Sequence, residues 1–161
     1  MKKGGFSLIE LVIAVALVGV LSTIVTPKVR VQLAKGKDTK AIAYLAAMRT
    51  ASELYYLDNN KSPLEGDESA DGTVTEAIER ILPYLDPKAE KELKDGKIEI
   101  GGSRKKSSDD VAEEDIQYGG EIGFTFTSPN SSVKGDGIYI WFKPEGEAVY
   151  DTTGKNKWIE Y

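Results

Sequence analysis

The chemistry open to this chain is limited by the side chains that it lacks. It contains no Cys and no His, so the usual nucleophile and base pairs cannot be built, and only carboxylate, Lys, Tyr or Ser chemistry remains. No phosphate-binding glycine loop or cofactor motif stands out. A carboxylate pair assembled from distant positions is the one catalytic arrangement left open. The sequence therefore predicts a protein that is not an enzyme and carries no organic cofactor.

A metal site is suggested by one acidic loop. Asp67, Ser69 and Asp71 place oxygen donors at alternating positions ahead of Gly72, as in the first half of an EF-hand calcium loop. Ile78 stands where the bidentate acid belongs, so a hydrated acidic loop is the competing interpretation. A second acidic cluster is a weaker cation candidate and consists of Asp109, Asp110, Glu113, Glu114 and Asp115.

Charge argues against a nucleic-acid partner. The 161 residues include 21 Lys and Arg against 26 Asp and Glu, a formal charge of −5. Arg104, Lys105 and Lys106 form the only basic run outside the N-terminus, and five acids follow it closely. Three charges in that setting make a poor polyanion site.

The N-terminus contains a segment long enough to cross a membrane. Phe6 to Val25 is an apolar run of about 20 residues, which as a helix is about 30 Å long. Lys2 and Lys3 precede it and predict that this end stays cytoplasmic while the rest enters or crosses the bilayer. A cleaved secretory signal would have a shorter apolar core.

Glu10 is the one charged residue in this run. An ionised side chain there costs about 3 kcal/mol even on the lenient insertion scale, so it calls for a cationic partner. The run contains no Lys, Arg or His, and the partner must come from outside the helix, from another subunit or from a new N-terminus. Alternatively, Glu10 lies near the interface and reaches headgroups and water.

Gly5 followed by Phe6-Ser7-Leu8-Ile9-Glu10-Leu11 resembles the processing site of type IV prepilins and type II secretion pseudopilins. The resemblance implies that prepilin peptidase cleaves after Gly5 and that Phe6 is N-methylated. It also implies that Glu10 meets the N-terminal amine of a neighbouring subunit. Implied partners are copies of the chain, related pilins, an inner-membrane assembly platform and, before assembly, the lipid bilayer.

Gly19 and Pro27 bracket the end of the apolar run, and both weaken a helix. In related pilins the corresponding stretch unwinds on entry into the filament. We therefore expect the stretch from Gly19 to Pro27 to melt on assembly, with a kinked helix as the alternative.

The remainder predicts an α+β fold that resembles pilins. One helix is expected from about Phe6 to Leu57, its second half packed on an antiparallel sheet of about four strands. The expected divisions are a leader (1–5), a transmembrane or filament-core half-helix (6–27) and a globular head (28–161). The buried helix stripe is predicted to contain Ala34, Ala41, Leu45, Met48, Ala51, Leu54 and Tyr55. Strands are predicted at Lys97 to Ile100, Ile122 to Phe126, Gly137 to Phe142, Glu147 to Asp151 and Lys157 to Tyr161, and Pro144-Glu145-Gly146 is the expected hairpin turn between two of them.

Two short helices are expected before these strands. A capping box at Thr73 to Glu76 predicts the start of the first, and Asp86 with Pro87 predicts the cap and first turn of the second.

Three functions are compatible with these features. The first is a structural subunit of a type IV pilus-like filament, inserted in the inner membrane as a precursor and then exposed at the cell surface. The second is a pseudopilin, which forms the periplasmic piston of type II secretion. The third is a binding protein that is tethered by its N-terminal helix and never assembles.

Overall fold

The computed structural model describes residues 7–64, 73–107, 115–129, 135–146 and 148–161. The chain divides into two compact units, an N-terminal unit, Met1–Leu33, and a C-terminal unit, Ala34–Tyr161. The candidate calcium residues Asp67, Ser69 and Asp71 lie outside the described residues, as do Gly5 and Phe6.

One long helix, α1, runs over Leu8–Asn59 and confirms the predicted helix to within two residues at each end. It ends at Asn60, whose φ of 53° lies in the left-handed region that Asn tolerates better than most residues. Pro27 lies inside α1 without interrupting it.

Two short helices follow, as their capping signals predict. Helix α2 is Thr73–Ile81 and helix α3 is Pro87–Leu93. The Asp86 side chain accepts the N–H groups of Lys88 and Ala89 at 3.0 and 3.1 Å, and Pro87 occupies the first turn, where its missing N–H costs nothing. A 3₁₀ turn at Leu82–Tyr84 joins α2 to α3.

The main sheet of the described residues is antiparallel, three-stranded and ordered β1-β4-β5. Ile98 pairs with Ile122, and Phe124 pairs with Phe142, so apolar side chains line one face. A separate two-stranded sheet pairs β2 with β3. The strands are β1 Lys97–Glu99, β2 Gly102–Ser103, β3 Gln117–Tyr118, β4 Glu121–Thr125 and β5 Trp141–Lys143. The α+β architecture is confirmed.

One predicted strand is shortened because a side chain caps a local turn, and a second is replaced by a 3₁₀ turn. Asp136 accepts the N–H groups of Ile138 and Tyr139, and Gly137 has a φ of 73°, so the strand predicted from Gly137 begins only at Trp141. The segment predicted as a strand over Lys157 to Tyr161 contains a 3₁₀ turn at Trp158–Glu160 instead.

The predicted strand from Glu147 to Asp151 is also absent from its described part, residues 148–151. There, Tyr150 forms isolated bridges to Arg104 and Lys157. The expected hairpin after Pro144 is therefore not formed by the described residues, although Gly146 does adopt a turn conformation with φ of 65°.

The core of the C-terminal unit joins the inner face of α1 to the sheet. Leu45 and Met48 are fully buried, as the stripe predicts, whereas Leu54 is 43% exposed, and its inclusion in the stripe was wrong. Trp158 is fully buried and packs edge-on against Phe142, with ring centroids 5.4 Å apart.

Candidate assembly site and the contacts that brace the C-terminal unit

Within the described residues, nothing covers the apolar part of α1 in the N-terminal unit. All the described residues from Ser7 to Val25 are exposed, and α1 is long and apolar enough to cross a membrane by length and composition. Large aliphatic side chains dominate the surface, with Leu8 82% exposed and Leu17 59% exposed. A surface of this size marks contact with lipid or with other protein.

Glu10 caps the start of its own helix. Its Oε2 atom accepts the backbone N–H of Ser7 at 2.8 Å, and the N–H of Leu11 donates to the Ser7 carbonyl at 3.2 Å. Ser7 and Glu10 thus have the spacing of a capping box, in which the acid satisfies the donor that precedes the first turn. Within the described residues no Lys or Arg pairs with Glu10. The sequence contained this signal, and it was missed.

The stretch from Gly19 to Pro27 is helical throughout. Two of its hydroxyl groups bond to carbonyls of the helix, because Ser22 donates to the Val18 carbonyl at 2.8 Å and Thr26 donates to the Ser22 carbonyl at 2.7 Å. Such bonds add a second donor to carbonyls that the helix already uses and tend to bend it. Melting on assembly stays a prediction.

The three residues of the basic run, Arg104, Lys105 and Lys106, differ in burial. Arg104 is 6% exposed, and its Nε donates to the Thr152 carbonyl at 3.0 Å, whereas Lys105 and Lys106 are exposed. The sequence treated the three as one surface patch, and the structure corrects this, because Arg104 holds the C-terminal segment. Asp115 is the only member of the second acidic cluster that is described, and the described residues contain no group of three acids close enough to hold a metal ion.

Asp38 is a buried carboxylate that the sequence analysis did not single out. It is 5% exposed, and it accepts the N–H of Gly101 at 2.8 Å and that of Thr152 at 3.0 Å. The N–H of Gly102 contacts it at 3.4 Å. Burial raises the pKa of this carboxyl group, and the hydrogen bonds oppose that rise without cancelling it. A signal existed, because Asp38 lies one turn from Ala34 within the buried stripe.

Gly101 allows this contact by letting two backbones approach closely. A Cβ atom at this position would lie 1.9 Å from the Ala34 carbonyl oxygen. Only glycine fits here without moving the β1–β2 connection away from α1.

A second set of contacts fixes Tyr161. Its hydroxyl donates to Asp151 Oδ2 at 2.6 Å, and burial together with this bond raises the pKa of Tyr161 to about 12. The Arg49 guanidinium donates to the main-chain oxygens of Tyr161, at 2.5 Å, and Ile140, at 2.9 Å. Burial lowers the pKa of Arg49. These bonds tie the C-terminal segment to α1.

Comparison with known proteins identifies the class first. A family profile described as a prokaryotic N-terminal methylation motif matches residues 1–26. A fimbrial protein of Pseudomonas aeruginosa is 31% identical over 112 residues, covering 65% of this chain and 70% of the fimbrial protein. The chain belongs to the family of type IV pilins and type II secretion pseudopilins.

The relatives from type II secretion systems are matched over a smaller part of their own length than the fimbrial protein is. Type II secretion system core protein G of Escherichia coli (strain K12) is 29% identical over 99 residues, covering 60% of this chain and 62% of that protein. Core protein G of Vibrio cholerae is 31% identical over 74 residues, covering 46% and 50%. The chain thus spans less than two thirds of these proteins. No solved structure matches it.

Proposed function

We propose that the chain is a structural subunit of a type IV pilus-like filament. The exposed apolar surface from Leu8 to Val25 carries this proposal, because it covers a helix that leads into a separately packed C-terminal unit. A bilayer covers such a surface before assembly, and neighbouring helices cover it afterwards. The subunit catalyses no reaction in this role.

Processing would prepare the subunit for assembly. Prepilin peptidase cleaves after Gly5, and the new amine of Phe6 is methylated. The leader is residues 1–5, the transmembrane or filament-core segment is 6–27, and the globular head is 28–161. The precursor resides in the inner membrane, and an inner-membrane platform adds it to copies of itself and to related pilins. The family profile over residues 1–26, a methylation motif, supports the processing step.

Glu10 would set the register between subunits. Cleavage creates an amine one residue before Ser7, whose N–H already bonds the Glu10 carboxylate. The amine of a neighbouring subunit supplies the cation that Glu10 lacks inside its own helix. A buried carboxylate is tolerated only with such a partner, so the pair favours one axial position. Gly19 to Pro27 would then unwind to fit the filament.

A type II secretion pseudopilus is the second candidate, in which the filament stays in the periplasm and drives protein export. The similarity to core protein G in Escherichia coli and Vibrio cholerae favours it. Deleting the gene separates the two, because loss of surface fibres indicates a pilus and accumulation of exported proteins in the periplasm indicates a pseudopilus.

Shearing of cells tests filament formation directly. A filament subunit appears in the sheared fraction, and its intact mass equals that of residues 6–161 plus one methyl group. A protein that stays with the membranes after shearing would instead be a tethered binder or a pseudopilin, and the gene deletion separates these two. Retention of Met1, or an unmodified Phe6, would contradict the processing step.

A further inference from the structure

The outer face of α1 in the C-terminal unit has no partner within the described residues. Small side chains occupy its middle, since Thr39, Ala43, Ala46 and Thr50 are all exposed. The Thr39 hydroxyl donates to the Lys35 carbonyl at 2.9 Å, and the Thr50 hydroxyl donates to the Ala46 carbonyl at 3.2 Å. Both hydroxyls are thus bonded within the helix, so this face needs no further hydrogen-bonding partner to be covered.

Opposite charges stand at the two ends of this face. Lys35 is half-buried and Glu53 is exposed, and neither forms an ion pair within the described residues. They are about 18 residues apart, which is about five whole helical turns, so they share one side of α1 and lie about 27 Å apart. The two side chains therefore cannot reach each other in one chain.

Two nearby lysines already form ion pairs within the C-terminal unit and are not available to pair with another molecule. Lys37 pairs with Glu99, and Lys40 pairs with Glu92, at 2.5 Å, both within the C-terminal unit. The fold thus neutralises these two charges and leaves Lys35 on the outer face without an ion-pair partner among the described residues.

We propose that this face docks on a second copy of the chain, with Lys35 of one copy paired to Glu53 of the next. A parallel copy displaced by about 27 Å along the helix brings the two charges together. Each copy then presents Lys35 to one neighbour and Glu53 to another, which is a head-to-tail contact that propagates without closing. This inference rests on the proposed filament and assigns it a specific contact.

Cysteine cross-linking tests the contact in sheared filaments, because the chain has no cysteine of its own. A short bismaleimide joins two thiols across the span of a Lys–Glu ion pair but not across the roughly 27 Å between these positions on one helix, so Lys35→Cys combined with Glu53→Cys cannot cross-link within one chain. With this reagent we expect a ladder of dimers and longer multimers from the double variant and none from either single variant. The matched control is Lys40→Cys with Asp58→Cys, which has the same spacing on another side of α1.

Charge exchange provides a second measurement. Lys35→Glu alone and Glu53→Lys alone should each lower the sheared filament yield roughly fivefold, and the double exchange should restore it. Combining Lys35→Glu with Asp58→Lys, which lies on another side of α1, should give no such rescue.

Each result separates the contact from filament formation. Three results would overturn the contact and leave the proposed filament intact. The filaments form without the ladder, they cross-link equally through the control pair, or they cross-link only to another protein. Failure of the wild-type chain to appear in sheared filaments would refute the proposed function itself. If the cysteine variant does not assemble, failure of the charge exchange to restore assembly overturns the contact.

Discussion

The carboxylate of Asp38 accepts the backbone N–H of Thr152, 114 residues further along the chain, at 3.0 Å. The same side chain accepts the N–H of Gly101 at 2.8 Å. One side chain on α1 therefore holds both the β1–β2 connection and the C-terminal segment.

Replacing Asp38 with Asn should destabilise the protein. The amide keeps one acceptor oxygen but presents an NH₂ group to a buried N–H, so we expect the free energy of unfolding to fall by about 1–3 kcal/mol. Urea denaturation in detergent at neutral pH measures the change. Asp58→Asn, at an exposed position near the end of α1, is the matched control and should change stability by less than about 0.5 kcal/mol. Equal effects of the two substitutions would contradict the role of Asp38.

Asp38 should contribute to the pH dependence of stability with a sign opposite to that of a carboxyl group whose pKa falls on folding. Burial raises the pKa of Asp38 in the folded state above the ordinary value of 3.8. Between the unfolded and folded pKa values the folded protein binds more protons, so acidification through this window favours the folded state. Stability from this group is complete below the unfolded pKa and is lost as pH rises through the folded pKa. The difference between wild type and Asp38→Asn should therefore vary with pH in this window, and a constant difference would contradict the shift.

Tyr161 should respond to alkaline pH. Its folded pKa of about 12 lies above the ordinary value of 10.0, so its contribution to stability is complete below pH 10 and is lost as pH rises toward 12. Tyr161→Phe removes the bond to Asp151 and should cost about 1–2 kcal/mol at neutral pH. Stability measured at several pH values should fall less steeply above pH 10 in this variant. Tyr139→Phe, at an exposed ring, is the control.

Two glycines on facing segments should respond oppositely to alanine. Gly101→Ala forces a Cβ atom to within 1.9 Å of the Ala34 carbonyl, and we expect a loss of about 3 kcal/mol or more. Gly36 lies in α1 with nothing within 4 Å of its added Cβ, so Gly36→Ala should stabilise the detergent-solubilised subunit by about 0.5–1 kcal/mol. Thermal unfolding measures both. A tolerated Gly101→Ala would mean that the approach of the two segments is not needed.

The substitution Glu10→Gln distinguishes the helix-capping role of Glu10 from the role of its negative charge in assembly. Gln can still accept the Ser7 N–H, because a capping box accepts either residue, but it cannot pair with an amine. We expect Glu10→Gln to lower the filament yield nearly as much as Glu10→Ala, with the helix content of both variants near that of wild type by circular dichroism. Normal assembly of Glu10→Gln would show that the charge is not required.

Local signals in the sequence predicted much of the fold. The length of α1, the Asp86 cap and strands β1 and β4 depend on residues close together in the chain, and all four are confirmed. The stripe of α1 also predicted Leu45 and Met48 as core residues.

Features that depend on distant partners were not predicted. The role of Asp38 depends on Thr152, and the position of Tyr161 depends on Arg49, 112 residues away. The apolar pattern around Trp158 fits a strand and a 3₁₀ turn equally well, and only contacts with β5 decide between them. The capping role of Glu10 was local and could have been found.

The reach of the Asp38 contacts has a consequence for biogenesis. Polypeptides cross a membrane progressively, and α1 emerges long before Thr152 does. Until that late segment arrives, the Asp38 carboxylate lacks one of its donors, and closing so long a loop is slow relative to local helix formation. The C-terminal unit should therefore remain open to proteases for most of its export and acquire resistance only once the final residues have emerged.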